Sequence, residues 1–367
     1  MRILFDIGHP AHVHLFKHAI WHLKRTGHIV LVTVKDIPLA KQLMDVYGIE
    51  YLDLGVKKDS FWGKGLYQLK YNLSLYNLVR RNKIQYGISS SITLPHVSRV
   101  TSLTSIVMDD DDDSIEPLFV TFGHAFSDSV LSPDSIKRKT KHCTYYAGQH
   151  ELAYLHPNYF TPDPDVIKEI GLSQSDKFFV LRFVALKGHH DIGQSGISFD
   201  QKLRLVELLK PHGRIFITAE RELDPEFEQY RLPITPEKIH SLLYYATMFL
   251  GDSQTMTSEA AILGTPSLKC NSFAGKLSVP NELESKYSLC FSYHPSDFEK
   301  FYKHIEELLT KPNLKHEWQH KRASFLADKI DVTAFLVWFV ENYPDSRKIM
   351  KETPEYQERF REMTSDK

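Results

Sequence analysis

The stretch Gly251-Asp-Ser-Gln-Thr-Met-Thr-Ser-Glu-Ala-Ala-Ile-Leu-Gly-Thr-Pro-Ser-Leu268 reads as the end of a strand, a tight polar turn and a helix. Met248, Phe249 and Leu250 supply the strand. Asp252, Ser253, Gln254 and Thr255 make a turn of small and amide side chains. Ala260, Ala261, Ile262 and Leu263 continue the helix. Gly264 stands where a left-handed C-terminal cap is wanted, and Pro266 follows it. A helix that starts just after small polar residues presents backbone N–H groups and the positive end of its dipole, which suits phosphate. Glu259 lies one helical turn further in, within reach of sugar hydroxyls on the same ligand. The combination points to a nucleotide-sugar site. Capping alone accounts for Ser253 and Thr255 without any ligand, so the two readings stand side by side.

Outward from this segment the chain alternates strand and helix signals. In the first half, strands are expected at 3–7, 29–34, 51–54, 86–89 and 105–108. Helices are expected at 13–25 and 39–47, through the basic aromatic stretch 64–81, and near 95–103. In the second half the strands are 178–181 and 215–218. Ser198-Phe-Asp-Gln201 reads as a capping box before a helix at 202–210, and Thr235-Pro236 starts a helix at 237–246. Terminal helices are expected at 298–309 and 325–343, followed by a loosely held polar tail from Pro344. This rhythm implies mainly parallel sheets covered on both faces. The proline-rich stretch 157–164 reads as a linker. The expected domains are therefore 1–160, 161–343 and a tail at 344–367.

The 367 residues suffice for two domains. With 42% hydrophobic and 25% charged residues and a net charge of −1, the composition is that of a globular protein with no bulk charge to drive nucleic-acid binding. Three scattered cysteines give neither a disulfide framework nor a zinc site, and suit a reducing cytoplasm. No apolar run approaches the roughly 20 residues that span a bilayer. The basic aromatic helix leaves peripheral contact with the inner membrane face open, beside the simpler reading that it packs on its sheet.

Candidate chemistry clusters at strand ends. His9 and His12 lie in Gly8-His-Pro-Ala-His-Val-His14, at the first strand-to-helix turn. Either could take a proton from a sugar hydroxyl. Arg182, with Lys187-Gly-His-His-Asp191, follows the first strand of the second half. Arg182 and Lys187 suit a pyrophosphate, and His189 and His190 suit phosphate or sugar contacts better than a metal. Glu220 ends the next strand, where it could orient a base or sugar. Asp109–Asp113 is a run of aspartates that reads as a solvated loop in preference to a cation site. P-loop, dinucleotide-binding and nucleophile-elbow signatures are missing from the sequence.

The segment 251–268 resembles the nucleotide-binding element of GT-B proteins, especially UDP-N-acetylglucosamine 2-epimerases. Asp252, Ser253, Glu259, Ala260, Leu263, Gly264 and Pro266 match that element. Gln254 and Thr255 replace two glycines of the pattern, and Ser258 replaces its first Glu. The chain as a whole is similar to the GT-B-like family known as domain of unknown function 354. The matching pieces are Asp6-Ile-Gly-His-Pro-Ala-His12, Arg182 with Gly188-His-His-Asp191, Pro236-Glu-Lys-Ile-His240, and 251–268. The resemblance implies an α/β, GT-B-like fold of two Rossmann-like domains facing a central cleft, with the last helix crossing back to brace the first domain. It also brings His240 near the nucleotide.

The expected activity is a metal-independent, nucleotide-sugar-dependent glycosyltransferase, UDP-linked and without cofactor, acting on a glycan or lipid-linked acceptor. His9 or His12 would be catalytic. Arg182, His189, His190, Glu220, His240, Ser253, Gln254, Thr255 and Glu259 would bind the donor. The alternatives are a 2-epimerase-like or hydrolysing enzyme, with carboxylates from Asp109–Asp113 and Glu116, and a non-catalytic nucleotide-sugar-binding protein.

Overall fold

The computed structural model describes residues 1–55, 61–183, 195–218 and 222–361, with only the backbone at 61–67. Contacts divide it into two units, one of Met1–Tyr159 with the residues from Lys329 on, the other of Phe160–Asp328.

The first unit holds a seven-stranded parallel sheet: β1 (Arg2–Ile7), β2 (Ile29–Val34), β3 (Leu52–Asp53), β4 (Tyr86–Ser89), β5 (Thr104–Met108), β6 (Ser129–Pro133) and β7 (Cys143–Tyr146). Their order is β3-β2-β1-β4-β5-β6-β7. Ile3, Leu4, Phe5 and Ile7 are fully buried, as a strand covered on both faces requires. The chain leaves β1 toward β2 and later returns to β4 on the other side. The carboxyl ends of β1 and β4 thus form the switch point where open α/β sheets receive ligands. The helix Phe61–Asn82 sinks Tyr71, Leu75 and Val79 into a cluster with Leu4, Leu94 and Leu103, and leaves Leu69 and Leu73 exposed. Among the described residues no helix is long and apolar enough to cross a membrane.

The second unit holds a five-stranded parallel sheet: β8 (Phe178–Arg182), β9 (Arg214–Thr218), β10 (Met248–Gly251), β11 (Ser267–Cys270) and β12 (Cys290–Tyr293), in the order β12-β11-β10-β8-β9. Its switch point lies at the carboxyl ends of β8 and β10, at Arg182 and Gly251. The capping box forms as read: Ser198 Oγ accepts from Gln201 N, and Gln201 Oε1 accepts from Ser198 N.

The C-terminal region differs from the sequence expectation. The helix expected at 325–343 is broken. One helix, Leu314–Asp328, ends in the second unit, and Asp331 caps a new one, Val332–Glu341, by accepting from Ala334 N at 2.8 Å. This later helix belongs to the first unit, so residues 329–343 do not go with the second domain. The stretch from Pro344 to residue 361 is not loose. It forms the helix Asp345–Glu352 and a 3-10 turn at Pro354–Phe360. Tyr356 stacks on Trp338 with centroids 4.8 Å apart, and Gln357 Oε1 accepts from Ala147 N at 2.7 Å. These partners are distant in sequence, so local polarity could not reveal them.

Candidate functional site

In the second unit the site is built on the turn after β10. A Cβ on Gly251 would lie 2.1 Å from the Arg182 carbonyl oxygen, so glycine lets the two strand ends approach. Asp252 N donates to that oxygen at 3.2 Å. Ser253 is the N-cap of the helix Gln254–Ile262, and its Oγ accepts from Met256 N. Thr255 is exposed on the first turn. Residues 195–197 cross the same turn. A Cβ on Gly196 would lie 2.5 Å from Asp252 Oδ2, and Ser195 and Ser272 exchange two hydrogen bonds of 2.9 Å.

Gln254 does not simply face outward. Its amide oxygen accepts from the Lys269 ammonium, and its Nε2 reaches Asn271 Oδ1 at 3.4 Å. Asn271 Nδ2 in turn donates to Asp252 O at 2.8 Å. Lys269 and Asn271 are buried, and sequence reasoning passed over both. The available signal was a lysine inside the short strand Ser-Leu-Lys-Cys. The net fixes the turn from beneath, where the related pattern uses glycines.

Burial pulls Lys269 down to about 8 from an ordinary value of 10.5. Between those values the unfolded chain holds a proton that the folded chain has released, so stability should rise with pH across that window. Lys315, pulled down to about 7 by burial and Arg322, acts in the same direction from a lower starting point. The three cysteines, pushed up to about 12 by burial, act in the opposite direction above about pH 9, so the informative quantity is the difference between wild type and Lys269→Met in denaturant titrations. The wild type should gain stability relative to the variant between about pH 8 and 10.5, and a pH-independent difference contradicts the assignment.

Glu259 and His240, read separately from the sequence, meet directly. Glu259 Oε1 is 2.9 Å from His240 Nε2, with side chains 7% and 4% exposed. His240 lies on the helix Ile239–Tyr245, with the Phe160 ring edge-on beside it. Arg182 ends β8, and its guanidinium donates to Thr218 Oγ1 at 3.1 Å, across to the end of β9. Arg182, His240, Ser253, Gln254, Thr255 and Glu259 thus all belong to the second unit, around the carboxyl ends of its central strands and the helices beside them. His189, His190 and Glu220, with Lys187 and Asp191, lie outside the described residues.

In the first unit His9 and His12 stand at the β1 turn, as read, and each uses Nδ1 to accept a backbone N–H. His9 is the N-cap of the helix Pro10–Arg25, and its Nδ1 accepts from Ala11 N at 3.2 Å. His12 Nδ1 accepts from Gly8 N at 3.3 Å. A neutral imidazole whose Nδ1 lone pair is so used carries its proton on Nε2 and presents a donor there. Burial, with His9 and His150 nearby, pulls His12 down to about 3. It is a weak base, fitted to donate a hydrogen bond.

The aspartate run is not a solvated loop either. Asp109 is buried, with Oδ2 2.8 Å from His124 Nε2 and 2.9 Å from Arg138 Nη1. Arg138, whose side chain is fully buried, also meets Asp113 at 2.9 Å and the carbonyl oxygen of Asp109 at 2.7 Å. Asp110 Oδ1 lies 3.1 Å from His150 Nδ1. Asp109, Asp110 and Asp111 can bring oxygens within 4.8 Å of one another. Arg138 lies against Asp109 and Asp113 and supplies there the counter-charge that a cation would otherwise bring. Burial and the neighbouring Asp110, Asp109 and Glu116 push Asp111 well up. Burial acts the same way on Asp110, but His150, a backbone N–H and Arg138 together hold that carboxyl down.

Two all-parallel sheets with ligand-facing groups gathered at strand carboxyl ends define a GT-B-like α/β protein. The chain belongs to the family described as a protein of unknown function, DUF354, whose model matches residues 1–301. It is similar to an uncharacterised protein of Methanocaldococcus jannaschii, 23% identical over 326 residues, covering 84% of this chain and 92% of that one. Among solved structures it is similar to a UDP-GlcNAc 2-epimerase from Neisseria meningitidis bound to UDP-GlcNAc. That match has a TM-score of 0.66 and 13% identity, and covers 93% of this chain and 100% of the other. A glycosyltransferase of Streptomyces sp. SF2575 matches with a TM-score of 0.60 and 12% identity over 93% and 100%.

Proposed function

We propose that this protein is a nucleotide-sugar-dependent glycosyltransferase of GT-B type, serving glycan or cell-surface polysaccharide synthesis. The observation that carries the reading is the Glu259–His240 pair on helices beside the β8/β10 switch point, one turn inside a Ser253-capped helix start. A UDP-like moiety there would place its diphosphate at the helix N-terminus and beside Arg182. Glu259 would accept from the ribose hydroxyls. The likeness to nucleotide-sugar enzymes supports the same ligand class.

As the bond from the anomeric carbon to the diphosphate breaks, charge develops on the leaving group. The helix dipole and Arg182 are fixed in advance to meet it. EDTA should therefore leave activity within about a factor of two of the untreated enzyme. Strict dependence on added magnesium or manganese contradicts this account and turns attention to the aspartates at the end of β5.

One observation favours a second reading, epimerisation or hydrolysis of the same donor. Asp109, Asp110 and Asp111 can bring carboxylate oxygens within 4.8 Å of one another at the end of β5, as a paired acid and base require. Incubation with UDP-N-acetylglucosamine alone separates the readings. A transferase leaves it intact until an acceptor is added, whereas an epimerase or hydrolase converts it.

A further inference from the structure

The stretch His316-Glu-Trp-Gln-His320 matches the helical pattern His-Glu-x-x-His, in which two imidazoles one turn apart hold a zinc ion and the glutamate acts as the base of a metalloprotease. It lies wholly within the second unit, on the helix Leu314–Asp328. Leu314, Trp318 and Phe325 bury one face of that helix, and His316 and His320 are exposed. Their Nε2 atoms are 3.2 Å apart, with ring centroids 4.4 Å apart. Two imidazole nitrogens, each about 2.0–2.1 Å from a tetrahedral zinc ion, stand about 3.3–3.4 Å apart. The two nitrogens are thus already spaced for one metal ion.

The rest of the motif does not serve hydrolysis. Glu317 is ion-paired with Lys311 and with Lys321, at 2.9 Å each. Among the described residues no third His, Cys, Asp or Glu joins the two imidazoles. The same turns of this helix have another task. Lys315 donates to the Tyr244 carbonyl and the Thr265 hydroxyl. Gln319 Nε2 donates to the carbonyls of Leu263 and Gly264 at 3.1 Å, and Arg322 Nε to that of Ile262 at 2.9 Å. Gln319 and Arg322 thereby satisfy carbonyls left over at the carboxyl end of the helix Gln254–Ile262.

We propose that His316 and His320 chelate a divalent transition-metal ion of the zinc type, and that the ion stiffens this helix where it caps the helix Gln254–Ile262. The proposal does not depend on the transferase reading. In the free pair one Nε2–H donates to the lone pair of the other Nε2. When the ion takes both lone pairs, that proton moves to Nδ1 of its own ring, and water fills the remaining positions. Bridging residues i and i+4 holds a full turn in helical form. The caps act about 13 Å of helix rise away from the Ser253 end, so the ion supports the unit and stays clear of the Ser253 turn.

Calorimetric titration of the metal-stripped full chain with zinc chloride tests the site. The wild type should bind an ion whose affinity falls at least about tenfold in His316→Ala and in His320→Ala, since even an outer-shell partner of a metal is worth that much. Both residues are exposed, so the variants should fold as the wild type does. Zinc at about ten times its Kd should raise Tm by about 3–6 °C in the wild type, and EDTA should reverse the shift. The double alanine variant should lose it. Magnesium should have no such effect, because imidazole suits softer ions. Equal zinc affinity in the wild type and the double variant overturns the site. Lost binding with an unchanged zinc-induced rise in Tm overturns the stiffening. Zinc-dependent cleavage of casein that Glu317→Gln abolishes overturns the non-hydrolytic assignment.

Discussion

Glu259→Ala is expected to weaken nucleotide binding by about 1.5–3 kcal/mol, the contribution of a hydrogen bond to a charged group. That corresponds to about ten- to 150-fold in Kd. The same change removes the partner of His240 Nε2, which is buried beside it. Leaving a buried polar group without its partner costs about 1–3 kcal/mol, so this variant should also unfold at a lower temperature. Glu259→Gln separates the two effects. The amide oxygen can still accept from His240, but the negative charge that favours ribose hydroxyls is gone. Calorimetric titration should show weakened binding in both variants, and thermal unfolding should show a large shift only in the alanine variant. Unchanged affinity in both would make the pair purely structural.

Gly251→Ala should be the most destabilising single methyl in the second unit. The added Cβ would meet the Arg182 carbonyl oxygen at 2.1 Å, backbone against backbone in the centre of a parallel sheet. No flexible side chain is there to move aside. Overpacking costs typically 1–3 kcal/mol, and this contact belongs at about the upper end. For a unit of this size about 3 kcal/mol lowers Tm by roughly 6–12 °C. The surviving folded fraction should bind nucleotide poorly, because β8 and β10 carry Arg182 and the Ser253 turn. A shift under about 2 °C, which is below 1 kcal/mol, would show that the strands part without cost and that the close approach is not structural.

Features whose cause is local were legible in the sequence. The apolar run of β1, the Ser198–Gln201 capping box and the Gly251–Pro266 strand–turn–helix each depend on residues within a few positions of one another. β6, β7, β11 and β12 were passed over because they are four or five residues long and carry serine, threonine or lysine among their apolar positions. The aspartate run read as a solvated loop because its counter-charge, Arg138, comes from beyond the next strand. His150 drew no notice among 19 histidines, since its partner Asp110 is forty positions earlier and two strands across the sheet. His9 and His12 were correctly placed at the strand end. Which of their nitrogens holds the proton could not be read there, because a tautomer depends on which nitrogen the backbone occupies, and composition does not say.

The proposed function requires the second unit to hold a nucleotide-sugar. Thermal unfolding in the presence of UDP-, GDP-, CMP- and dTDP-sugars tests it most directly. A ligand at about 100 times its Kd stabilises the folded state by about 2.7 kcal/mol. UDP-linked sugars should raise Tm clearly in the wild type and much less in Glu259→Gln. No shift from any of the four nucleotide classes at millimolar concentration, or an equal shift in Glu259→Gln, would contradict it.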